Sequence, residues 1–346
     1  MTAALERAAW HAWTAHTPGG RTLRAALVPV ALAYGAVATL RNRLYDAHWL
    51  DAARVPARVV SVGSLALGGS GKTPAALWLA ERLVARGLRT AIVARGYGKR
   101  PRGVVIVGEA GRPLVDPAEG GDEAVMLARR FPGPVVTGER RAEAAAAACA
   151  RFALDAIVLD DGFQHRALAR DADLVLVSGE TAGAWPLPAG PLREPVGALA
   201  RARALLALDG APAMAPGVRL FRGRLAATGL VDGRWREEPL AALRGERVTA
   251  VAGVARPERF LATLAAAGAT VERVLRFPDH HAYRAADVSR IAAAARGGLV
   301  VTTEKDLVKL AATPLPALRA VRVSLEVEDA DRLVELLLVD AGPREE

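Results

Sequence analysis

The sequence predicts an α/β fold built on a parallel sheet, and three observations support this. Short apolar runs typical of buried strands recur along the chain, and amphipathic helical runs separate most of them. A glycine-rich turn joins the first such strand to the first such helix. The 346 residues exceed the usual size of one domain, so two units are expected. Alternating strands and helices predict a doubly wound sheet.

The first unit is predicted at residues 51–210. Its first strand is the apolar run RVVSVGSL from Arg58, and the helix KTPAALWLAERLVARG after the turn ends at Gly87. The further strands of this unit are predicted at 90–94, 134–137, 156–159, 173–178 and, as an extension of the sheet, 205–210.

A change of composition follows. Residues 211–247 are rich in Pro, Gly and Arg, and they predict a β-hairpin-like linker. The α/β rhythm then resumes, so we predict a smaller α/β domain at 248–346. Its elements are expected as a strand at 248–254, a helix at 257–267, a strand near Val271, a helix at 285–295 and a strand at 298–302.

Residues 1–50 are predicted to be a membrane-associating helical segment that belongs to the first domain. Its uncharged run, residues 25–40, is flanked by arginines but is shorter than the ~20 residues that span a bilayer, and Pro29 interrupts it. The run alone slightly favours a core helix over an interfacial helix. The surrounding Trp and Tyr residues suit an interface and leave both alternatives open. The charges do not resemble a secretory signal.

The net charge of +9 predicts attraction to polyanions, which include nucleic acid, an anionic membrane surface and a phosphorylated substrate. The aromatic and basic interleaving that stacks nucleic-acid bases is missing from the sequence, so no nucleic-acid partner is expected. The single cysteine, Cys149, cannot form an internal disulfide, which is typical of a reducing compartment.

The turn LALGGSGKTP, at 65–74, resembles a phosphate-binding P-loop. In such a loop, backbone N–H groups surround the phosphates, a lysine neutralises their charge, and a Ser or Thr hydroxyl binds Mg²⁺. The first glycine of the motif is replaced by Ala66, so the turn is expected to form further along the chain. The predicted ATP-binding residues are Gly68, Gly69, Ser70, Gly71, Lys72 and Thr73.

A P-loop needs a carboxylate at the end of a neighbouring strand. Asp160 and Asp161 follow an apolar strand and, with Thr73, are predicted to hold Mg²⁺, because paired carboxylates repel unless a cation compensates them. A solvated Asp-Asp-Gly turn is the alternative. Gln164 and His165 complete the motif DDGFQH and are expected at the same edge of the sheet.

Seven motifs in the same order make the chain resemble the tetraacyldisaccharide 4'-kinase family, over residues 27–306. They are GGSGKTP, ARGYG at 94–98, GDEA at 121–124, LDDGFQH at 159–165, PAGPLREP at 188–195, FPDHHAY at 277–283 and TTEKD at 302–306.

The resemblance implies transfer of the γ-phosphoryl of ATP to the 4'-hydroxyl of an acylated glucosamine disaccharide 1-phosphate. It places the enzyme at the cytoplasmic face of the bacterial inner membrane, as a peripheral protein. It also implies that Asp122 and His280 activate the sugar hydroxyl, which fits a carboxylate base supported by an imidazole. Without the family, Asp122 is interpreted as a helix N-cap. His281 is expected to point elsewhere.

The remaining motifs predict contacts to substrate from Arg95 and Tyr97, from Gln164 and His165, and from Arg193 and Glu194. The alternatives are a glycine turn for the first pair and a surface ion pair for the last. Residues 304–306 are expected to serve structure or nucleotide contacts at the domain junction. Because motifs of both domains are involved, the site is predicted in the cleft between them, assembled by closure.

Two features bear on alternatives. The family usually has Asn after the first glycine of its loop, and this chain has Ser64 instead. A membrane-associated P-loop ATPase switch without a small-molecule acceptor remains the alternative function, although the extra lysine of that class falls on Leu67 here.

Overall fold

The computed structural model describes residues 13, 18–69, 71–181, 183–208, 217–315 and 317–339. The helices of this part are α1 (Pro18–Asp46), α2 (Lys72–Ala85), α3 (Pro117–Gly120), α4 (Asp122–Arg130), α5 (Arg141–Arg151), α6 (Pro257–Ala266), α7 (Ala285–Ala295), α8 (Glu304–Leu310) and α9 (Ala330–Leu338). The strands are β1 (Arg58–Ser64), β2 (Thr90–Ala94), β3 (Val105–Glu109), β4 (Arg112–Pro113), β5 (Val135–Thr137), β6 (Ala156–Asp160), β7 (Ala172–Val177), β8 (Ala204–Leu208), β9 (Arg219–Asp232), β10 (Glu237–Glu238), β11 (Arg247–Ala252), β12 (Thr270–Arg276), β13 (Leu299–Thr303) and β14 (Leu318–Val327).

Strands β1 to β8 form the first half of the sheet. The order β8-β7-β1-β6-β2-β5 is parallel throughout, and β3 and β4 complete the edge in antiparallel pairing. These parallel strands are buried along their length, which explains why they appear in the sequence as unbroken apolar runs. The predicted parallel α/β sheet is confirmed.

Strands β11 to β14 form the second half, in the parallel order β14-β13-β11-β12. The long strand β9 joins the halves, because it pairs in parallel with β8 and in antiparallel with β14. Its first five residues lie beside β8 and the rest continue past the end of β8 beside β14. The carboxyl ends of the two sets of strands therefore face each other.

Strand β9 also differs from the expected linker. Residues 219–232 of that predicted linker form one continuous strand, and β14 pairs with it from Gly223 to Asp232. A hairpin is present, since β10 folds back on the end of β9. The boundaries 51–210, 211–247 and 248–346 stay predictions. Helix α9 returns to the first half, where Leu333, Val334 and Leu337 are buried in the same core as α2.

Helix α1 is longer than its apolar run, because it continues through Pro29 for 29 residues. By length and composition alone it could cross a membrane, although only 11% of its most apolar window is buried. Large apolar side chains such as Leu32 and Val37 are exposed. One side of α1 contacts the loop before residue 196, where the Tyr34 hydroxyl donates to the Arg193 carbonyl over 2.9 Å. Most of the apolar surface of α1 is therefore exposed, unlike that of a buried core helix.

Candidate active site

The glycine-rich loop between β1 and α2 ends in a glycine that caps the helix. Gly71 caps α2 with a φ of 81°, and a Cβ there would approach Leu208 to 2.9 Å, so only glycine fits without strain. The Lys72 ammonium folds back over the loop and donates to the Gly68 carbonyl over 3.3 Å. Burial, supported by the charge of Arg193, lowers the pKa of Lys72. Ser70 lies outside the described residues.

Ser64 takes part in the same loop. It is buried at the end of β1, and its hydroxyl donates to the Ala66 carbonyl over 2.9 Å. The Lys72 ammonium lies 3.5 Å from the Ser64 oxygen. A serine at this position therefore fixes the turn and faces the lysine with a polar atom.

The two aspartates after β6 have different surroundings. Asp160 is buried, and one carboxylate oxygen accepts from the Thr73 hydroxyl over 3.0 Å, while its Oδ1 has no hydrogen-bond partner in the described part of the chain. Burial, with the negative charges of Glu123 and Asp161, raises the pKa of Asp160 to about 7. Its charge is therefore only weakly compensated.

Asp161, by contrast, is paired. Its two oxygens accept from the Arg193 guanidinium over 2.9 and 3.0 Å, and the Lys72 ammonium lies 3.9 Å away. Burial acts to raise the pKa of Asp161, but these two cations outweigh it and hold the pKa below its usual range. Its backbone lies in the left-handed region, with a φ of 54°, directly after β6.

Some of the side chains around Asp160 are suited to bind Mg²⁺. Among the described residues no cluster of three or more His, Cys, Asp and Glu side chains could hold a metal ion. The Thr73 hydroxyl and the Asp160 carboxylate, whose Oδ1 has no hydrogen-bond partner in the described part of the chain, are oxygen donors of the kind that Mg²⁺ prefers.

Asp122 and His280 meet across the two halves, as the motifs predicted. Asp122 begins α4, and His280 lies in the loop after β12 with a φ of 57°. The Nδ1 of His280 is 2.9 and 3.1 Å from the two Asp122 oxygens. Gly121 holds the cap position, so Asp122 is not the N-cap. His281 faces away and lies 2.9 Å from Asp287.

Two lysines of α8 flank this pair. The Lys309 ammonium is 3.2 Å from Asp122 and 3.1 Å from Asp306, and the Lys305 ammonium is 3.1 Å from the Nε2 of His280. Lys305 was expected to serve structure or nucleotide contacts, and Lys309 was missed. Lys309 follows Lys305 by four residues, a spacing that puts both ammonium groups on one helix face and that indicates a shared role.

Charge around Asp122 keeps it ionised. Burial acts to raise its pKa, but the His280 hydrogen bond and the charges of Lys305 and Lys309 hold the pKa well below its usual range. For His280, burial acts to lower the pKa, and the bond to Asp122 outweighs it so that the pKa is raised. A carboxylate that is ionised at neutral pH is suited to orient a hydroxyl.

Basic groups line the same edge of the first half. Tyr97 is half-exposed and its ring lies 4.4 Å from the His280 ring. Arg95 is exposed after β2. Burial lowers the pKa of His165 to about 4, and the charges of Arg141 and Arg95 add to this effect. Arg141 was missed by sequence reasoning, although its place just after β5 is a signal, since ligands bind at the carboxyl ends of strands.

Gln164 and Glu194 form hydrogen bonds with other residues of the protein. The Gln164 amide donates to the Glu194 carboxylate over 3.0 Å, and its oxygen accepts from Arg193 over 3.0 Å. Glu194 is buried and also accepts from Asn42 of α1 and from Arg201. These contacts connect α1 with the loop that carries Arg193. Substrate contacts of Arg95, Tyr97, Gln164, His165, Arg193 and Glu194 stay predictions.

The loop at the head of α2, facing Asp160 on a parallel strand, places the chain in the P-loop class of nucleoside triphosphate-binding proteins. The sequence profile described as tetraacyldisaccharide-1-P 4'-kinase matches residues 23–340. The chain therefore belongs to the tetraacyldisaccharide 4'-kinase family, and the resemblance seen in its motifs is confirmed.

Individual relatives agree with this assignment. A tetraacyldisaccharide 4'-kinase from Anaeromyxobacter dehalogenans strain 2CP-C is 46% identical over 91% of this chain and 90% of its own length. One from Syntrophus aciditrophicus is 39% identical over 86% and 87%. A crystal structure described as the "apo" form of LpxK from Aquifex aeolicus in complex with ATP matches with a TM-score of 0.80 and 31% identity, over 91% of this chain and 98% of that one.

Proposed function

We propose that this chain transfers the γ-phosphate of ATP to the 4'-hydroxyl of tetraacyldisaccharide 1-phosphate, giving lipid IVA in lipid A biosynthesis. The family of the chain supports this activity. The observation that carries it in the structure is the Asp122–His280 pair, which the two halves build at the sheet edge that also holds the P-loop.

The donor side is the loop at residues 68–73. The positive end of α2 and the backbone N–H groups of the loop bind the phosphates, and Lys72 neutralises charge that develops on the transferred group. Arg193 lies beside Lys72 through their shared partner Asp161, so a second cation faces the same region. Phosphoryl transfer depends mainly on such positioning and charge stabilisation.

Magnesium is proposed as the cofactor. Thr73 and Asp160 would hold it, since Asp161 is already bound to Arg193. When bound, the ion neutralises the phosphate oxygens of ATP. Asp160 thereby gains the positive partner that its buried carboxylate otherwise lacks.

The acceptor side is Asp122 with His280. The ionised Asp122 carboxylate accepts the hydrogen bond of the 4'-hydroxyl and takes its proton as the phosphoryl group transfers. A strong base is not required, because the transition state of phosphoryl transfer is loose and bond formation to the hydroxyl oxygen comes late. His280 and Lys309 hold the carboxylate in place.

Glu123 connects the two sides electrostatically. It forms an ion pair with Lys305 over 3.0 Å, and its charge also acts on Lys72 and Asp160. The acceptor pair and the P-loop are therefore within range of one shared carboxylate. This supports a site in the cleft between the halves, and closure of that cleft on substrate remains our expectation.

Helix α1 is proposed to seat the enzyme, as a peripheral protein, on the cytoplasmic face of the inner membrane. Its exposed apolar side chains and the arginines at both ends suit an interface with anionic lipid. An acceptor with four acyl chains is met at such a surface. The contact of Tyr34 with the Arg193 loop places α1 next to the active site.

Replacing Leu32 and Val37 together by serine is expected to weaken binding to vesicles that contain anionic phospholipid by about tenfold or more. Burial of each side chain in lipid contributes about 1.5–3 kcal/mol when complete. Sedimentation with liposomes measures the effect. The matched control replaces Leu114 and Val104, which are exposed elsewhere, and should bind like the unaltered chain. Equal binding by both double variants would contradict the role of α1.

The activity is tested by following ADP release and radiolabel transfer from [γ-³²P]ATP, in detergent, with and without the acylated disaccharide 1-phosphate. We expect ADP and labelled lipid to appear together and to depend on the acceptor. ADP release at the same rate without acceptor, with unlabelled lipid, would instead support the ATPase switch.

A further inference from the structure

Lys305 lies at the centre of a partly buried polar cluster beside the proposed catalytic pair. Its ammonium is 2.7 Å from Asp279, 3.0 Å from Glu123 and 3.1 Å from the Nε2 of His280. The side chain is only 12% exposed. The three N–H groups of an ammonium match these three partners, so the cluster leaves Lys305 little freedom.

The contact with His280 has a consequence for the imidazole. An ammonium only donates hydrogen bonds, so the Nε2 of His280 must be the acceptor and carries no proton. In the neutral ring the one N–H is then at Nδ1, which faces the Asp122 carboxylate at 2.9 Å. The hydrogen bond made by one ring nitrogen thus decides which proton the other nitrogen carries.

We propose that Lys305 is a positioning residue that fixes His280 as the neutral Nδ1–H tautomer. This inference rests on the proposed function only in what it says about catalysis. His280 then donates to Asp122 without forming an imidazolium–carboxylate ion pair, and a lone pair of Asp122 is left for the acceptor hydroxyl. Protonation at Nε2 would point an N–H at the ammonium and break the contact.

The groups that face His280 act in opposite directions. Asp122 from α4 and Asp279 from the same loop favour the protonated ring, and Lys305 from α8 opposes it. The Tyr97 ring, from the loop after β2, covers the imidazole. Burial and Lys305 both act to lower the pKa of His280, and the raised pKa shows that the carboxylates outweigh them. Removing Lys305 should therefore raise this pKa further.

A purely structural role is the rival explanation, because Lys305 also connects α8 to Glu123 of α4. Two neighbouring ion pairs make the same connection between these helices, Lys309 with Asp122 and Arg130 with Glu304. A structural link alone predicts lower stability for a Lys305 variant. It predicts no change in the tautomer of His280 or in the pH at which the ring titrates.

The direct test is long-range ¹H–¹⁵N NMR of the full chain labelled with [¹⁵N]histidine, with His280→Gln to assign the ring. At pH 8 the unaltered chain is expected to show the Nδ1–H pattern for His280. In Lys305→Met the neutral ring should gain the Nε2–H form, and the imidazolium should persist to a pH about one unit higher. No acceptor or ATP is needed, so this result is independent of whether the proposed reaction occurs.

Kinetics supply the second readout. In Lys305→Met, kcat should fall with little change in KM for ATP, and the acid limb of the pH profile should move upward by about one pH unit. Lys305→Arg keeps the charge, so its acid limb should lie close to the pH at which the unaltered chain has it. Arg319→Gln breaks an ion pair with Glu238 elsewhere in the second half and should leave the limb in place.

Two results would overturn the inference. One is an Nε2–H or doubly protonated His280 in the unaltered chain at pH 8, which needs no variant to fold. The other is a Lys305→Met protein with an unmoved acid limb and an unchanged His280 spectrum, even if it is less stable. In that case Lys305 is a structural link only.

Discussion

Replacing Asp122 by Asn is expected to lower kcat by about 10²–10⁴-fold, the range typical of a lost general base. The amide keeps the shape of the side chain but cannot take the proton of the acceptor hydroxyl. KM for ATP should change little, because the P-loop that binds ATP is formed by other residues. Steady-state kinetics with the acylated acceptor in detergent measures both constants.

The chain offers a matched control for this substitution. Asp287, on α7, and His281, in the loop before that helix, form a second carboxylate–imidazole pair at 2.9 Å that is not part of the proposed catalytic pair. Asp287→Asn should therefore keep its kcat, although it loses a comparable contact. Equal losses in the two variants, accompanied by equal losses of thermal stability, would contradict a catalytic role for Asp122.

Local patterns predicted the residues that we assign to the nucleotide side of the site. Gly71, Lys72 and Thr73 follow a buried strand and begin a helix. Asp160, 87 residues from Thr73, ends the strand that pairs with the first one in parallel. Their geometry follows from rules for loops and strand ends. The choice between the two aspartates was left open by sequence, because it depends on Arg193, which is 32 residues further along the chain.

The acceptor side depends on contacts that no local pattern contains. Asp122 and His280 are 158 residues apart, and they meet because β9 reverses the second half of the sheet so that the carboxyl ends face each other. Family motifs indicated this pair, but periodicity alone predicted neither the length of β9 nor its change of pairing. Lys309 was missed for the same reason, since its role is visible only once α4 and α8 are in contact.

The buried carboxylate of Asp160 lowers the stability of the folded chain when it is ionised and unpaired. Its pKa rises from 3.8 to about 7 in the folded chain, which corresponds to about 4 kcal/mol. Between these values the folded state binds more protons than the unfolded state, so this contribution to stability is full below pH 4 and is lost as the pH rises to about 7. At neutral pH and above, the ionised carboxylate destabilises the fold until a cation is bound.

Replacing Asp160 by Asn is therefore expected to stabilise the nucleotide-free chain at pH 8, by up to about 4 kcal/mol, and by less at pH 5. Denaturant unfolding at the two pH values measures the difference. The same variant should lose at least about a hundredfold in kcat, because a lost metal ligand removes several kcal/mol of charge stabilisation. In the unaltered chain, ATP with Mg²⁺ should raise the melting temperature more than ATP alone does. The Asp160→Asn variant should lose this difference.

Asp161→Asn is the matched comparison, and its stability should change in the opposite direction. Its carboxylate is paired with Arg193 and Lys72, so its stabilising contribution is present at neutral pH and is lost only as the pH falls through its lowered pKa. The amide removes that contribution and leaves two cations close together at pH 8. If Asp161→Asn stabilised the chain and Asp160→Asn destabilised it, the metal ligand would be Asp161 and our assignment would be wrong.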